Sequence, residues 1–174
     1  ALLLYSGNDA ATAIAEYVGG SEEAFVNMMN RRAQELMANG THFMNPHGLH
    51  DDNHYTTAYD LYLIFNECIK HEDFVNIIQS EAYTAYYTDV DGNSQEALFT
   101  PTNLYAQGEV DVPENVTIVG GKTGTTDEAG YCLILMEKDS SDNPYISIVM
   151  GASEKPVLYE DMTSLIEAIP SGQQ

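Results

Sequence analysis

The chain has 174 residues, enough for one domain with a real core and too few for two comfortable ones. It is 44% apolar and 10% aromatic, an ordinary globular composition that argues against disorder. With 27 Asp and Glu against six Lys and Arg, the formal charge is −21, which speaks against nucleic acid as a partner because neutralising phosphates takes Lys and Arg.

No apolar run approaches the roughly 18–20 residues a membrane span requires. The opening "ALLL" is too short, and lacks the positive flank, to be a secretory signal. Cys68 and Cys132 each sit in an apolar pattern, so both are expected to be buried small hydrophobes rather than a bridge or a nucleophile.

In chain order, the Ala-rich run 9–18 places Ile14 and Val18 four apart, and Gly19-Gly20 ends that helix. Ser21 caps the helix that follows, with Glu22 and Glu23 in the first turn where the helix dipole favours negative charge. Phe25, Met28 or Met29, Arg32 and Leu36 mark one face of it, and Asn39-Gly40 is its expected stop. A loop rich in His, Asn, Pro and Gly spans 41–55. Thr57 then opens a helix through Lys70, with Asp60 expected to close a capping box at N3. A second short helix falls in "EDFVNIIQS".

From Ala82 the period changes to two, and "AYTAYYTDV" and "QEALFT" flank the hairpin turn "DGNS". Three β runs follow, "NVTIVG", "GYCLILME" and "YISIVMGA", the last two joined by the turn "KDSSDNP". A helix in "YEDMTSLIEAI" closes the domain. The fold class is therefore α+β, a helical region plus a small antiparallel sheet with helix cover, over residues 1–170, with a frayed tail at 171–174.

The stretch "GGKTGTT" sets one of only four lysines between paired glycines and threonines. A phosphate loop needs G-x-x-x-x-G-K-[ST], but its first glycine would fall at Val116, and a strand follows where a helix is required. The loop residues His47, His50, Asp51, Asp52 and His54 match no zinc spacing, and a loop that satisfies its own polar groups is the expectation there. "DVDGNSQEA" resembles a calcium loop, but the obligatory glycine would fall at Ser94, so a hairpin is expected. No serine stands in G-x-S-x-G, and no S-x-x-K occurs: three places before the lysines stand Glu67, Val119, Leu135 and Ala152.

Other pieces of a serine acyltransferase site are present. Ser6-Gly7-Asn8 leads into a helix, and Lys122-Thr123-Gly124 is expected at the end of a strand. In this order they resemble the second and third motifs of penicillin-interacting serine acyltransferases. "NPHGL…HYTTAYDL" and "GGKTGTTDEAGYCL" narrow the resemblance to the D-alanyl-D-alanine carboxypeptidases of the low-molecular-mass penicillin-binding type, the S11 peptidases. It extends over almost the whole chain and implies a β-lactamase/transpeptidase-like fold.

The resemblance implies a serine attack on the bond between two D-alanines of a peptidoglycan stem peptide, through an acyl-enzyme, with β-lactams as inhibitors and no cofactor. By the same resemblance Ser6 relays a proton to the leaving amine and Asn8 hydrogen-bonds the substrate amide. Lys122 supplies positive potential, Thr123 meets the terminal carboxylate, and Gly124 keeps the strand edge clear. The Thr125 N–H forms half of an oxyanion hole.

In this family the nucleophile and its base lysine lie on a helix before the S-x-N segment, and two strands of the sheet also lie upstream. The chain is thus expected to be the latter part of a catalytic domain, inactive by itself, and to associate with itself or with the missing segment. Many members carry an arginine shortly before the last helix, where Leu158 stands here. The expected location is extracytoplasmic, with membrane association in the full-length protein. A catalytically dead wall-peptide or partner-binding module is the alternative. A β-lactamase is a weaker one, disfavoured by the "NPHGL" loop and the lack of a matching deacylating glutamate.

Overall fold

The computed structural model describes residues 1–170, so the tail expected at 171–174 lies outside the described residues. The first half is helical: α1 (Leu2–Tyr5), α2 (Asn8–Gly19), α3 (Glu22–Glu35), α4 (Ala58–Cys68) and α5 (Glu72–Ile78). A hairpin of β1 (Tyr83–Thr88) and β2 (Ser94–Phe99) and a short α6 (Leu104–Gln107) connect it to β3 (Val116–Thr126), β4 (Gly130–Asp139), β5 (Pro144–Ala152) and α7 (Lys155–Glu167). The antiparallel sheet has the order β3-β4-β5, so β3 and β5 are both edges among the described residues.

Local chemistry explains most of these boundaries. Gly20 ends α2 in the left-handed conformation, at φ 79°, which only glycine adopts without steric penalty. Ser21 Oγ accepts from the Ala24 N–H at 3.1 Å, as its position before an apolar run requires. The hairpin turn closes on Asp89, whose Oδ1 accepts from the backbone N–H groups of Asp91 and Asn93.

Five expectations need correction. Helix α3 ends at Glu35, not at Asn39-Gly40, because Met37 turns left-handed at φ 64° and the Ala38 N–H returns to the Ala33 carbonyl at 2.9 Å. On that helix Ala33 is the buried residue, while Met28 and Arg32 are exposed. Thr57 Oγ1 does cap Asp60 N, but Asp60 closes no box: its buried carboxylate accepts from Thr41 Oγ1 at 2.7 Å and anchors the loop to α4. Helix α4 itself stops two residues short of Lys70. Cys68 and Cys132 are unpaired and half-buried rather than buried.

The core follows from the alternation in β4. Leu133 and Leu135 point to the face covered by α7, where Leu158, Met162 and Ile166 complete the packing. Fully burying side chains of this kind contributes roughly 1.5–3 kcal/mol each. Elsewhere α2 packs on α3, and the helical half meets the sheet where α4 touches β5 and α5 touches β3.

Glu137 breaks this pattern. It occupies the next inward position of β4, is 0% exposed, and neither carboxylate oxygen has a hydrogen-bond partner among the described residues. Burial pushes its pKa from the ordinary 4.5 to about 7, opposed only in part by the neighbouring Ser147. Between those values the folded state holds a proton that the unfolded chain has lost. Stability therefore falls as pH rises through that window and stays low above it. Glu137→Gln is expected to gain about 1–3 kcal/mol at pH 8 and much less at pH 5 in urea unfolding. Equal gains at both pH values would show that the carboxyl is not held neutral.

Candidate active site

The peptide between α1 and α2 is sharply bent. Ser6 caps α1 in the left-handed region at φ 61°, with its N–H donating to the Leu2 carbonyl at 3.1 Å. A non-glycine residue there costs about 1 kcal/mol, and such strain concentrates at functional positions. Gly7 follows as the N-cap of α2, and Asn8 opens that helix with an exposed side chain.

Strand β3 supplies the second wall. The expectation that K-T-G ends a strand is corrected: β3 runs four residues beyond Lys122, and Lys122, Thr123 and Gly124 pair with Ile134, Leu133 and Cys132 of β4. The two glycines ahead of the lysine mark close approaches, not a turn. A Cβ on Gly120 would strike the Ile78 carbonyl at the end of α5, and one on Gly121 would strike the Ile134 carbonyl oxygen across the strand pair. These glycines let the helical half close on β3. Gly124 differs, since an added Cβ there would meet nothing within 4 Å.

The two motifs meet, although 116 residues separate them: Lys122 Nζ donates to Ser6 Oγ and, at 2.6 Å, to the Thr123 carbonyl. Burial lowers the Lys122 pKa, and no carboxylate pairs with the amine among the described residues. A cation partly withdrawn from water and bonded only to neutral oxygens is poised to take an anion. Thr123 is half-buried, and Thr125 lies exposed one rung beyond Gly124 on the edge strand. Asn8 makes no side-chain hydrogen bond among the described residues, so the structure places it beside Ser6 in sequence without tying it to Lys122.

The 41–55 loop closes on itself, as its composition predicts. Asn45 bonds the backbone of Gly48 and Leu49, His54 Nδ1 accepts from the Met44 N–H, and His42 bridges backbone to backbone with Tyr55. Desolvation lowers the His54 pKa, which suits a neutral acceptor. His50 approaches Glu128 at 3.9 Å, so the loop abuts the β3–β4 turn. Leu158 lies within α7 in the core, where its side chain cannot stand in for a cleft-facing arginine.

Two contacts escaped the sequence. Thr102 Oγ1 lies 2.5 Å from Thr123 Oγ1, and Tyr5 packs on Phe99 with ring centroids 6.0 Å apart, which holds the hairpin against the S-G-N turn. Both are tertiary pairings, for which local pattern carries no signal.

A serine at a strained helix junction, touching the lysine of an edge-strand K-T-G, defines the class of penicillin-interacting serine acyltransferases. A family model described as D-alanyl-D-alanine carboxypeptidase matches residues 1–154. The carboxypeptidase DacF of Bacillus subtilis is 33% identical over 166 residues, covering 95% of this chain and 40% of DacF. DacA of Haemophilus influenzae is 32% identical over 150 residues, covering 86% and 35% respectively. The DD-transpeptidase of Streptomyces strain K15 superposes with a TM-score of 0.85 at 27% identity, over 95% of this chain and 63% of that one. The chain belongs to the D-alanyl-D-alanine carboxypeptidase family, peptidase family S11. It spans about 40% of the length of DacF and 35% of that of DacA.

Two outcomes follow from the site geometry. The Lys122 ammonium is expected to lose its proton below the usual lysine value of about 10.4, read by NMR titration of its side chain. A titration at the usual value would mean that the amine is fully hydrated. Gly120→Ala is expected to destabilise by about 1–3 kcal/mol in thermal unfolding, and Gly124→Ala by less than about 0.5 kcal/mol. Equal losses would remove the distinction between the packed glycine and the open one.

Proposed function

We propose that this chain forms two walls of the active site of a serine-type D-Ala-D-Ala carboxypeptidase, which removes the terminal D-alanine from peptidoglycan stem peptides through a penicillin-sensitive acyl-serine intermediate. The observation that carries this reading is the Lys122–Ser6 contact, which joins the S-x-N and K-T-G motifs in space.

The roles follow from the chemistry of each group. Ser6 Oγ, already bonded to an ammonium, passes a proton to the leaving amine of the scissile bond. Asn8, exposed and free to bond outward, holds the substrate amide. The Lys122 ammonium, which has no ion-pair partner among the described residues, attracts the terminal carboxylate, and the Thr123 hydroxyl donates to it. The open space at Gly124 leaves room for a peptide to lie along β3 as an added strand. The Thr125 N–H then serves as one oxyanion donor, worth about 3–4 kcal/mol of barrier in acyl-transfer enzymes.

The 174 residues contain no S-x-x-K, so by themselves they are inactive in acyl transfer. The outer edge of β5, unpartnered among the described residues, supports association with a further strand, from an upstream segment or a second copy. The proposed substrate class supports a site of action outside the cytoplasmic membrane, and membrane association of the full-length protein belongs to the same proposal.

Intact mass before and after benzylpenicillin tests this reading, on the chain and on the product of its complete reading frame. A penicilloyl adduct on the latter alone is expected. An adduct on the 174-residue chain would place the nucleophile among these residues. No adduct on either would favour a catalytically dead binding module.

A further inference from the structure

Thr102 belongs to no motif, yet its hydroxyl lies 2.5 Å from that of Thr123, and neither Oγ1 has another partner among the described residues. The segment that carries it is tightly held. Buried Asn103 caps α6 by accepting from the Tyr105 N–H at 3.0 Å, and the Leu104 N–H donates to the Tyr159 hydroxyl at 3.0 Å. Gln107 Nε2 bonds the Pro101 carbonyl at 2.7 Å. Thr102 therefore meets β3 from a frame fixed to α7, at a half-buried position beside the lysine.

We propose that Thr102 is a positioning residue for Thr123: its hydroxyl donates to Thr123 Oγ1 and so turns the Thr123 proton outward, toward a ligand carboxylate. This rests on the assignment of Thr123 as the carboxylate donor. Each hydroxyl carries one proton and two acceptor lone pairs, and their mutual bond uses one of the two protons. If Thr123 donates to Thr102, a carboxylate in the cleft faces a lone pair. If Thr102 donates, Thr123 has its own proton to give, and the two bonds in series polarise one another. A bound carboxylate selects the second arrangement. Because the frame around Thr102 is already ordered, no side chain has to be immobilised for it.

The test uses the protein made from its complete reading frame, with Thr102→Val, Thr102→Ser, Thr123→Val and the double valine variant. Two quantities are measured: the second-order rate of acylation by benzylpenicillin, which carries a free carboxylate, and the steady-state constants for a peptide ending in D-Ala-D-Ala. Thr102→Val is expected to slow acylation by about 3- to 10-fold, and to act on the peptide chiefly through KM. Thr102→Ser should restore most of the rate, and the double variant should be no slower than Thr123→Val alone. Thermal melts check that each variant folds, with Thr102→Ala replacing the valine if the latter melts early.

A silent Thr102→Val beside an impaired Thr123→Val overturns this proposal alone. So does a double variant whose loss is the product of the single losses. A silent Thr123→Val overturns the assignment of Thr123, and this proposal with it. Absence of acylation in the unaltered protein overturns the proposed function and everything built on it.

Discussion

The contact between the Lys122 ammonium and the Ser6 hydroxyl constrains the rest of the molecule. It needs a lysine partly withdrawn from water, in a chain of net charge −21, with no carboxylate paired to it among the described residues. Acidic side chains engage cations elsewhere, as where Glu67 bonds both Arg32 and Lys70, but at Lys122 the acceptors are a hydroxyl and a backbone carbonyl. Such acceptors offset desolvation only in part, which is why the amine's pKa falls. The remaining imbalance is the chemical content of the site, because an incoming anion relieves it.

Holding that contact takes two packed halves and a close seam. The sheet is stiffened by α7, packed on Leu133 and Leu135, and the helical half brings the Ser6 junction to it. The seam is the approach of α5 to β3, where the Ile78 carbonyl fills the space a side chain on Gly120 would need. Glycine in a strand interior ordinarily weakens the strand, and here the loss is exchanged for proximity of two backbones. Glu137 shows that the core tolerates one unsatisfied carboxyl in the neighbouring strand β4, at a position where stability depends on pH. Nothing in the proposed chemistry uses it.

Much of this was legible in the chain. The caps at Ser21 and Thr57, the hairpin around Asp89–Asn93 and the alternation of β4 follow from short-range rules and stand in the structure. The S-G-N and K-T-G motifs named the residues that meet. What escaped depends on distant partners. K-T-G reads as a strand end, yet pairing with β4 carries β3 on to Thr126, and the close packing at Gly120 is invisible until Ile78 is in view. Asp60 has the spacing of a capping box, but Thr41 offers its buried carboxylate a hydroxyl donor, and tertiary bonding prevails. The positive φ of Ser6 and Met37 has no sequence signal, since L-residues enter that region only when the surroundings over-determine it.

The overall charge bears on how the proposed substrate arrives. A stem peptide ending in a carboxylate is repelled at long range by a surface this acidic, so electrostatic steering cannot help it. At physiological ionic strength that repulsion is screened beyond roughly 8 Å, about the depth over which a cleft can set its own potential. Recognition therefore has to reside in short contacts: an ammonium and a strand edge that have no ion-pair or strand partner among the described residues, and one hydroxyl beside them. Each loses its directionality if its support shifts by a fraction of an ångström. This is the physical reason for fixing β3 with packed glycines and for framing the hydroxyls from α6 and α7, instead of adding further positive charge to the cleft.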